Sequence, residues 1–303
     1  MRTLELAPAV SKGIELAAVE AGLDTQPRVI GAQLAPYLPD AVHEALIGYR
    51  QGCDEGALMI QGVGPGEVPD DAETFEDLPT ASPLLLGLVS LIATPVAARD
   101  EWDGAPLTDI KVTPGLENTV SSKGKGGLPL HQESQHLVHP PDGLALLTVR
   151  GGSPTRLAAT PDIVEAAESA DSGVLDALRE PQFRHRLPDS YGGDGAGPET
   201  AVLLGDESMP ELNVDLATTE ATTEEGNAAL AALTEAVRWV AKDLALTPGT
   251  LLVFDNRRWL HGRGSVIEAS PDRWLLRSLF VYDSWRAQGH IHQNGLSELA
   301  VFA

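Results

Sequence analysis

The stretch Leu128-Pro129-Leu130-His131-Gln132-Glu133 is the part of the chain from which the fold and the site are predicted. It is a short apolar run that ends in a His-x-Glu pattern. In a β-strand, residues i and i+2 point to the same face, so His131 and Glu133 can reach one metal ion. A second imidazole, from the distant His261, would supply a third ligand. An isolated His-x-Glu pair is common by chance, so the surrounding sequence has to support it.

The composition limits the class of protein. The 303 residues are 43% hydrophobic, enough for one large core, and all-β domains reach this length as single units. A formal net charge of -23 argues against binding to nucleic acid or to anionic membranes. The single cysteine, Cys53, allows no intramolecular disulfide and no cysteine zinc cluster. Without a signal pattern or a membrane-length apolar run, we expect a soluble cytoplasmic protein.

Short apolar segments with few helices predict a mainly β fold, a sandwich or barrel with flanking helices. No repeat or linker divides the chain, so we expect one domain over 1–303, with 1–55 as a helical N-terminal cover. The predicted buried strands cover residues 56–63, 109–113, 144–149, 251–254 and 273–282.

One strong amphipathic helix is predicted after residue 221. Thr222 and Glu225 have the spacing of a capping box. Apolar residues recur along one face of this helix, at Leu230, Leu233, Val237, Val240 and Leu244.

The segment 123–127, Lys-Gly-Lys-Gly-Gly, has a flexible composition and lies directly before the His-x-Glu strand. Two interpretations remain open for it, an active-site lid and a solvated loop without a role.

Two arginines lie four residues apart in the last predicted strand. Arg273 and Arg277 therefore share a face. A guanidinium is always charged, so on a buried face it needs a partner, and it can bind a carboxylate through two hydrogen bonds. The partner is either a small carboxylate ligand or one of the 44 Asp and Glu residues of the chain.

Several patterns together resemble one enzyme family. They are Gly62 after an apolar strand, His131-x-Glu133, the segment 255–263 (Asp-Asn-Arg-Arg-Trp-Leu-His-Gly-Arg) and the segment 272–277 (Asp-Arg-Trp-Leu-Leu-Arg). This combination is similar to the clavaminate synthase-like, TauD-related group of Fe(II)/2-oxoglutarate-dependent oxygenases, which includes amino-acid hydroxylases. The resemblance covers about 56–282, and the segment 255–263 is its most specific part. Two histidines and a carboxylate leave three open positions on iron, as such enzymes require.

The resemblance implies a double-stranded β-helix, or jelly roll, and a role for each matching residue. His131, Glu133 and His261 match the iron ligands. Arg273 and Thr155 match the residues that bind the cosubstrate 2-oxoglutarate. The implied substrate-binding residues are Arg277 for a carboxylate, Asp215 for the side chain, and Gln135. The implied cofactor is Fe(II), and the cosubstrates are 2-oxoglutarate and O2.

Two departures concern the substrate pocket. The family commonly has an aromatic residue and a histidine soon after His-x-Glu, whereas this chain has Ser-Gln-His-Leu-Val-His at 134–139. The segment from His261 to Arg273 is also slightly shorter than usual. We expect the enzyme's own substrate preference to depend on the first of these segments.

The predicted reaction is hydroxylation of a C–H bond in a small amino acid or amino-acid derivative, either free or tethered to a carrier. Desaturation or ring formation would use the same residues and stays open. Two rivals belong to other classes, a non-catalytic metal-binding jelly roll and a zinc hydrolase with the same three ligands. A second carboxylate-binding arginine argues against the metal-binding module, which has no use for one.

The remaining pair His290-x-His292 is interpreted as a solvated tail, and Cys53 as core filling.

Overall fold

The computed structural model describes residues 1–52, 55–98, 104–135, 140–151, 154–187, 195–266, 273–283 and 297–299. The helices of these residues are α1 Pro8–Ala21, α2 Pro27–Leu34, α3 Asp40–Arg50, α4 Ala81–Ser90, α5 Thr160–Ala170, α6 Val174–Arg179 and α7 Glu224–Val240. The first eight strands are β1 Arg2–Glu5, β2 Ala57–Gln61, β3 Thr94–Ala98, β4 Thr108–Ile110, β5 Leu128–His131, β6 Gly143–Arg150, β7 Thr155–Ala159 and β8 Phe183–His185. The others are β9 Leu203–Asp206, β10 Met209–Leu212, β11 Thr219–Ala221, β12 Lys242–Leu244, β13 Leu251–Asp255, β14 Trp259–Arg263, β15 Trp274–Val281 and β16 Ser297–Leu299.

Two sheets form the centre of the molecule. The larger has the order β1-β2-β13-β6-β15-β3-β16, with β4 also paired to β15, and the smaller has the order β12-β7-β14-β5. Leu146, Leu252 and Leu275 of the larger sheet share one buried cluster with Leu157 of the smaller. The two sheets therefore face each other across a common core, as in the predicted sandwich.

Helices cover the outer face of each sheet. The helices α1 to α4 pack on the larger sheet, where Ile14, Leu34 and Leu85 share a buried cluster with Leu147 and Leu276. The helices α5 to α7 pack on the smaller sheet, burying residues that include Ile163, Leu178 and Leu233 against Ala158 and Leu260. The central strands of the larger sheet are thus buried on both faces, which explains why β6, β13 and β15 read as nearly continuous apolar runs.

Strand β15 shows which side chains enter the core between the sheets. Leu275 and Leu279 belong to the cluster between the sheets, whereas Leu276 and Phe280 belong to the cluster under the helices. Because side chains alternate along a strand, Arg277 lies on the inward face with Leu275 and Leu279. Arg273, directly before the strand, is in register with the same face and is buried.

Two details of the predicted long helix were wrong. Thr223, not Thr222, caps α7, and its hydroxyl accepts a hydrogen bond of 2.9 Å from the Gly226 amide. The Thr222 hydroxyl instead donates to the Gln182 carbonyl at 3.2 Å, which removes it from the helix end. The helix also ends at Val240, so Leu244 lies in β12, where pairing with β7 takes over from the helical pattern.

Candidate metal and cosubstrate site

Adjacent strands bring the two predicted histidine ligands together. His131 on β5 and His261 on β14 are directly opposite in the antiparallel register, and their ring centroids are 4.2 Å apart. Directly opposite residues of an antiparallel pair point to the same face. The pairing of β5 with β14 therefore joins residues that are far apart in the sequence.

A turn after β5 brings Glu133 to the histidines. Strand β5 ends at His131, and Ser134 has a φ of 53°, in the left-handed region that costs a non-glycine residue about 1–2 kcal/mol. The turn is held from below by Asn256, which is fully buried. The Asn256 side chain accepts a hydrogen bond from the Glu133 amide at 2.7 Å and donates to the carbonyls of Glu133 and Pro141, both at 2.9 Å.

The three side chains form a metal-binding group. One potential ligand atom from each of His131, Glu133 and His261 lies within 4.8 Å of the others. The Nδ1 of His131 is 2.9 Å from the Pro129 carbonyl, which orients the ring and leaves Nε2 for a metal ion. The Nε2 of His261 lies 3.6 Å from a Glu133 carboxylate oxygen. Two imidazole nitrogens and one carboxylate oxygen fit a non-haem Fe(II) ion.

The local electrostatics favour the metal-binding forms of His261 and Glu133. Burial and the neighbouring His131 lower the pKa of His261 to about 4, so its imidazole is neutral at pH 7. Burial by itself would raise the pKa of Glu133, but Arg277 and the two histidines together hold that pKa well below its ordinary value. Neutral imidazoles and an ionised carboxylate are the states that bind a metal ion.

Arg277 lies next to this group. One of its terminal nitrogens donates to a Glu133 carboxylate oxygen at 2.5 Å, and both side chains are buried. Of the two partners that the sequence left open, the structure contains the protein's own carboxylate. The predicted contact of Arg277 with a substrate carboxylate remains a proposal.

A second group of polar residues lies on the same inward face. Thr155 of β7 is directly opposite Arg263 of β14, and both are at least nine-tenths buried. The Thr155 hydroxyl has no hydrogen-bond partner among the described residues. Burial, together with the positive charge of Arg263, lowers the pKa of Arg273 to about 9. A hydroxyl and two cations desolvated in one region are suited to an anionic ligand.

Two of the three predicted substrate residues, Asp215 and Gln135, lie on the side of His131 away from His261. Asp215 pairs with His131 in an isolated bridge, and its carboxylate accepts a hydrogen bond from the Ala217 amide at 2.7 Å. Gln135 is buried and donates to the Thr218 hydroxyl at 3.0 Å. Gln135 also lines a cavity of about 250 Å³ together with Gln132, the residue between the ligands His131 and Glu133 in the sequence. None of the three metal ligands lines this cavity.

Two residues of the site were not singled out in the sequence. Asn256 and Arg263 both belong to the segment 255–263, where a polar residue in a turn and a charged residue in an apolar strand were the available signals.

Several predictions fall outside the described residues. They concern Cys53, the segment 136–139, Asp272 and His290-x-His292.

Comparison with known proteins identifies the architecture. A family model described as "Taurine catabolism dioxygenase TauD, TfdA family" matches residues 55–279. The chain is 32% identical over 272 residues to an L-asparagine oxygenase of Streptomyces coelicolor, covering 82% of this chain and 78% of the relative. It is 24% identical over 267 residues to clavaminate synthase 2 of Streptomyces clavuligerus, covering 80% of each.

The solved structures give the same result. A structure of asparagine oxygenase in complex with Fe(II), 2S,3S-3-hydroxyasparagine and succinate superposes with a TM-score of 0.85 at 26% identity. It covers 98% of this chain and 99% of that chain. The predicted jelly-roll fold with flanking helices is confirmed, and so is the resemblance to clavaminate synthase-like oxygenases.

Proposed function

The chain belongs to the taurine catabolism dioxygenase TauD, TfdA family and is a non-haem Fe(II)/2-oxoglutarate-dependent dioxygenase, and we propose that it hydroxylates a small α-amino acid. One observation supports this proposal most strongly. The buried group of His131, Glu133 and His261 lies beside Arg277, on a face that also buries Arg273. Such a site can hold a metal ion and two different carboxylate-bearing molecules.

The cosubstrate end is assigned to Thr155 and Arg273. His131, Glu133 and His261 would hold Fe(II), which with 2-oxoglutarate and O2 supplies the oxidising power for C–H hydroxylation while succinate and CO2 are formed. The Arg273 guanidinium binds the distal carboxylate of 2-oxoglutarate, and the Thr155 hydroxyl donates to the same carboxylate. Burial of both groups makes these hydrogen bonds stronger than they would be in water.

The substrate end is assigned to Arg277 and Asp215. Arg277 is already held against Glu133, so a substrate carboxylate that pairs with it is placed next to the metal ligands. Asp215, joined to His131 by its backbone bridge, offers an acidic group for the substrate's amino group or polar side chain. Gln135 is proposed to contact the substrate from the same side. Because a relative is named L-asparagine oxygenase and one structure contains 3-hydroxyasparagine, L-asparagine is the first candidate and C3 the first position.

The test is a panel of α-amino acids incubated with the protein, Fe(II), 2-oxoglutarate and O2, with succinate release followed and products weighed by mass spectrometry. We expect succinate and product in equal amounts, the product heavier by one oxygen. A product lighter by two hydrogens would instead support desaturation or ring formation. Hydrolysis supported by Zn(II), with no succinate from any amino acid, would contradict the proposal. The His261→Ala variant controls for iron that acts free in solution.

The location and the domain organisation are also proposals. A cytoplasmic location is supported by the single cysteine. One domain over 1–303 is supported by the core that the two sheets share. Among the described residues, no helix is long and apolar enough to cross a membrane.

A further inference from the structure

Arg263 makes an unusual set of contacts. It lies two residues after the ligand His261 on β14, and only 4% of it is exposed. Its guanidinium donates four hydrogen bonds to main-chain carbonyls of a single segment, 121–126. The acceptors are Ser122 at 3.3 Å, Ser121 at 3.3 Å, Gly124 at 2.7 Å and Gly126 at 3.0 Å. Among the described residues, no carboxylate pairs with it.

Within the described part of the chain, these contacts leave the charge of Arg263 without a neutralising carboxylate. Carbonyl dipoles solvate a buried cation but do not neutralise it, so its field persists in the low-dielectric interior. The field reaches Arg273, whose pKa it helps to lower. Thr155 lies next to Arg263, because the two residues are directly opposite in the sheet register. A dianion that binds to Arg273 therefore also meets the charge of Arg263.

The same contacts hold the segment 121–126 in place. Besides the four bonds from Arg263, the Lys125 carbonyl accepts a hydrogen bond of 2.8 Å from the Val266 amide, just beyond β14. The segment leads directly into β5, which carries His131. Its position therefore determines both the wall beside Arg263 and the approach of β5 to β14.

We propose that Arg263 is a positioning residue for the cosubstrate: it holds the segment 121–126 closed against the end of β14 that faces Thr155, and its charge strengthens binding of the dianion at Arg273. This inference rests on the proposed roles of Arg273 and Thr155. It assigns to the segment 121–126, which overlaps 123–127, a closed position held by the Arg263 side chain together with main-chain hydrogen bonds such as that from the Val266 amide.

Two glycines make it possible to separate the position of the segment from the charge. A Cβ added to Gly124 would lie 1.9 Å from the Thr119 carbonyl oxygen, so Gly124→Ala displaces the segment while Arg263 keeps its charge. A Cβ added to Gly264, next to Arg263 in sequence, meets nothing within 4 Å. Gly264→Ala is therefore a matched control for a glycine substitution at this end of the sheet.

The first experiment measures the closed position. Lys123 and Lys125 are trypsin sites inside the segment, so the rate of cleavage after them, followed by mass spectrometry, reports how often the segment opens. We expect Arg263→Met and Gly124→Ala to be cut at least about tenfold faster than the parent, because a tenfold change corresponds to the loss of one charge-assisted interaction. Gly264→Ala should be cut at the parent rate. Cleavage of Arg263→Met at the parent rate would overturn the proposed closure.

The second experiment measures the role toward the cosubstrate. We expect Arg263→Met to raise the KM for 2-oxoglutarate about tenfold or more with a smaller change in kcat, and Arg263→Lys, which keeps the charge, to recover part of the loss. Gly124→Ala should raise that KM less than Arg263→Met does. If Arg263→Met is cut faster but its KM for 2-oxoglutarate is unchanged, Arg263 has only a structural role and the inference fails.

A direct binding measurement separates failure of this inference from failure of the proposed function. Binding of 2-oxoglutarate to the metal-loaded parent and to Arg273→Leu is measured by calorimetry, with circular dichroism as the check on folding. If Arg273→Leu binds 2-oxoglutarate like the parent, the proposed function of Arg273 fails. If Arg273→Leu loses binding while folded Arg263→Met retains the full affinity, only the role of Arg263 is overturned.

Discussion

Asn256 lies directly beneath Glu133, and its replacement by alanine should weaken both the fold and the metal site. The substitution leaves three buried main-chain groups without their partner, the amide and carbonyl of Glu133 and the carbonyl of Pro141. Each unsatisfied group costs about 1–3 kcal/mol. Because water entering the space left by the side chain satisfies part of this demand, we expect a loss of about 3–5 kcal/mol in the free energy of unfolding.

The second consequence concerns metal affinity. Glu133 is positioned by Asn256 rather than by a regular strand, since β5 ends two residues earlier. Loss of such support typically weakens metal binding about 10–100-fold. Urea unfolding of the metal-free protein gives the first quantity, and calorimetric titration with Mn(II) or Co(II) at neutral pH gives the second.

The matched control is Asn227→Ala. Asn227 is exposed on α7, and among the described residues its side chain makes one hydrogen bond, to the Thr223 carbonyl, so loss of that side chain should cost less than about 0.5 kcal/mol. A single buried unsatisfied group costs at least about 1 kcal/mol. An Asn256→Ala variant whose free energy of unfolding is within ~1 kcal/mol of the parent value, and which binds Mn(II) equally well, would therefore refute the reasoning.

Three further substitutions test other parts of the site. Arg273→Leu should raise the KM for 2-oxoglutarate steeply while leaving substrate binding largely intact, as steady-state kinetics in both reactants would show; a normal cosubstrate dependence would place the carboxylate contact elsewhere. Arg277→Met should weaken substrate binding, measured by calorimetry, and intact substrate affinity beside damaged cosubstrate binding would mean that the two arginines have exchanged roles. Burial raises the pKa of Asp255 to about 6, so its ionisation destabilises the fold as the pH rises through 6. The stability that Asp255→Asn gains over the parent should therefore be up to about 3 kcal/mol larger at pH 8 than at pH 4, as measured by urea unfolding. The exposed control Asp24→Asn should show no such difference, and an identical pH dependence in both variants would contradict the cause given for the shift.

The metal group could be predicted because two of its three residues are close together in the sequence. His131 and Glu133 are two residues apart, and His261 follows a strand and a tight turn, so the sequence constrained each position. The inward face of Arg277 followed from alternation along β15 in the same way. The inward face of Arg277 depends on the backbone period of a strand, which the sequence displays directly. Glu133 instead reaches the histidines through the turn after β5, which the strand period does not predict.

Other features depend on which distant segments meet. The sequence could not select Glu133 as the partner of Arg277 among 44 acidic residues, because that pairing arises from the arrangement of β15 beside the turn after β5. The contact of Arg263 with segment 121–126 likewise requires the pairing of β14 with β5. The cap of α7 was misplaced by one residue because Thr222 forms a long-range hydrogen bond to Gln182.

The most direct test of the central claim uses O2 labelled with heavy oxygen. The purified protein is incubated with Fe(II), 2-oxoglutarate, L-asparagine or the best substrate of the panel, and the labelled gas. If His131, Glu133 and His261 form the iron site of a 2-oxoglutarate-dependent hydroxylase, mass spectrometry will show one labelled oxygen in the hydroxylated amino acid and one in an equal amount of succinate. An amino-acid product whose new oxygen comes from water, formed without succinate, would contradict the account.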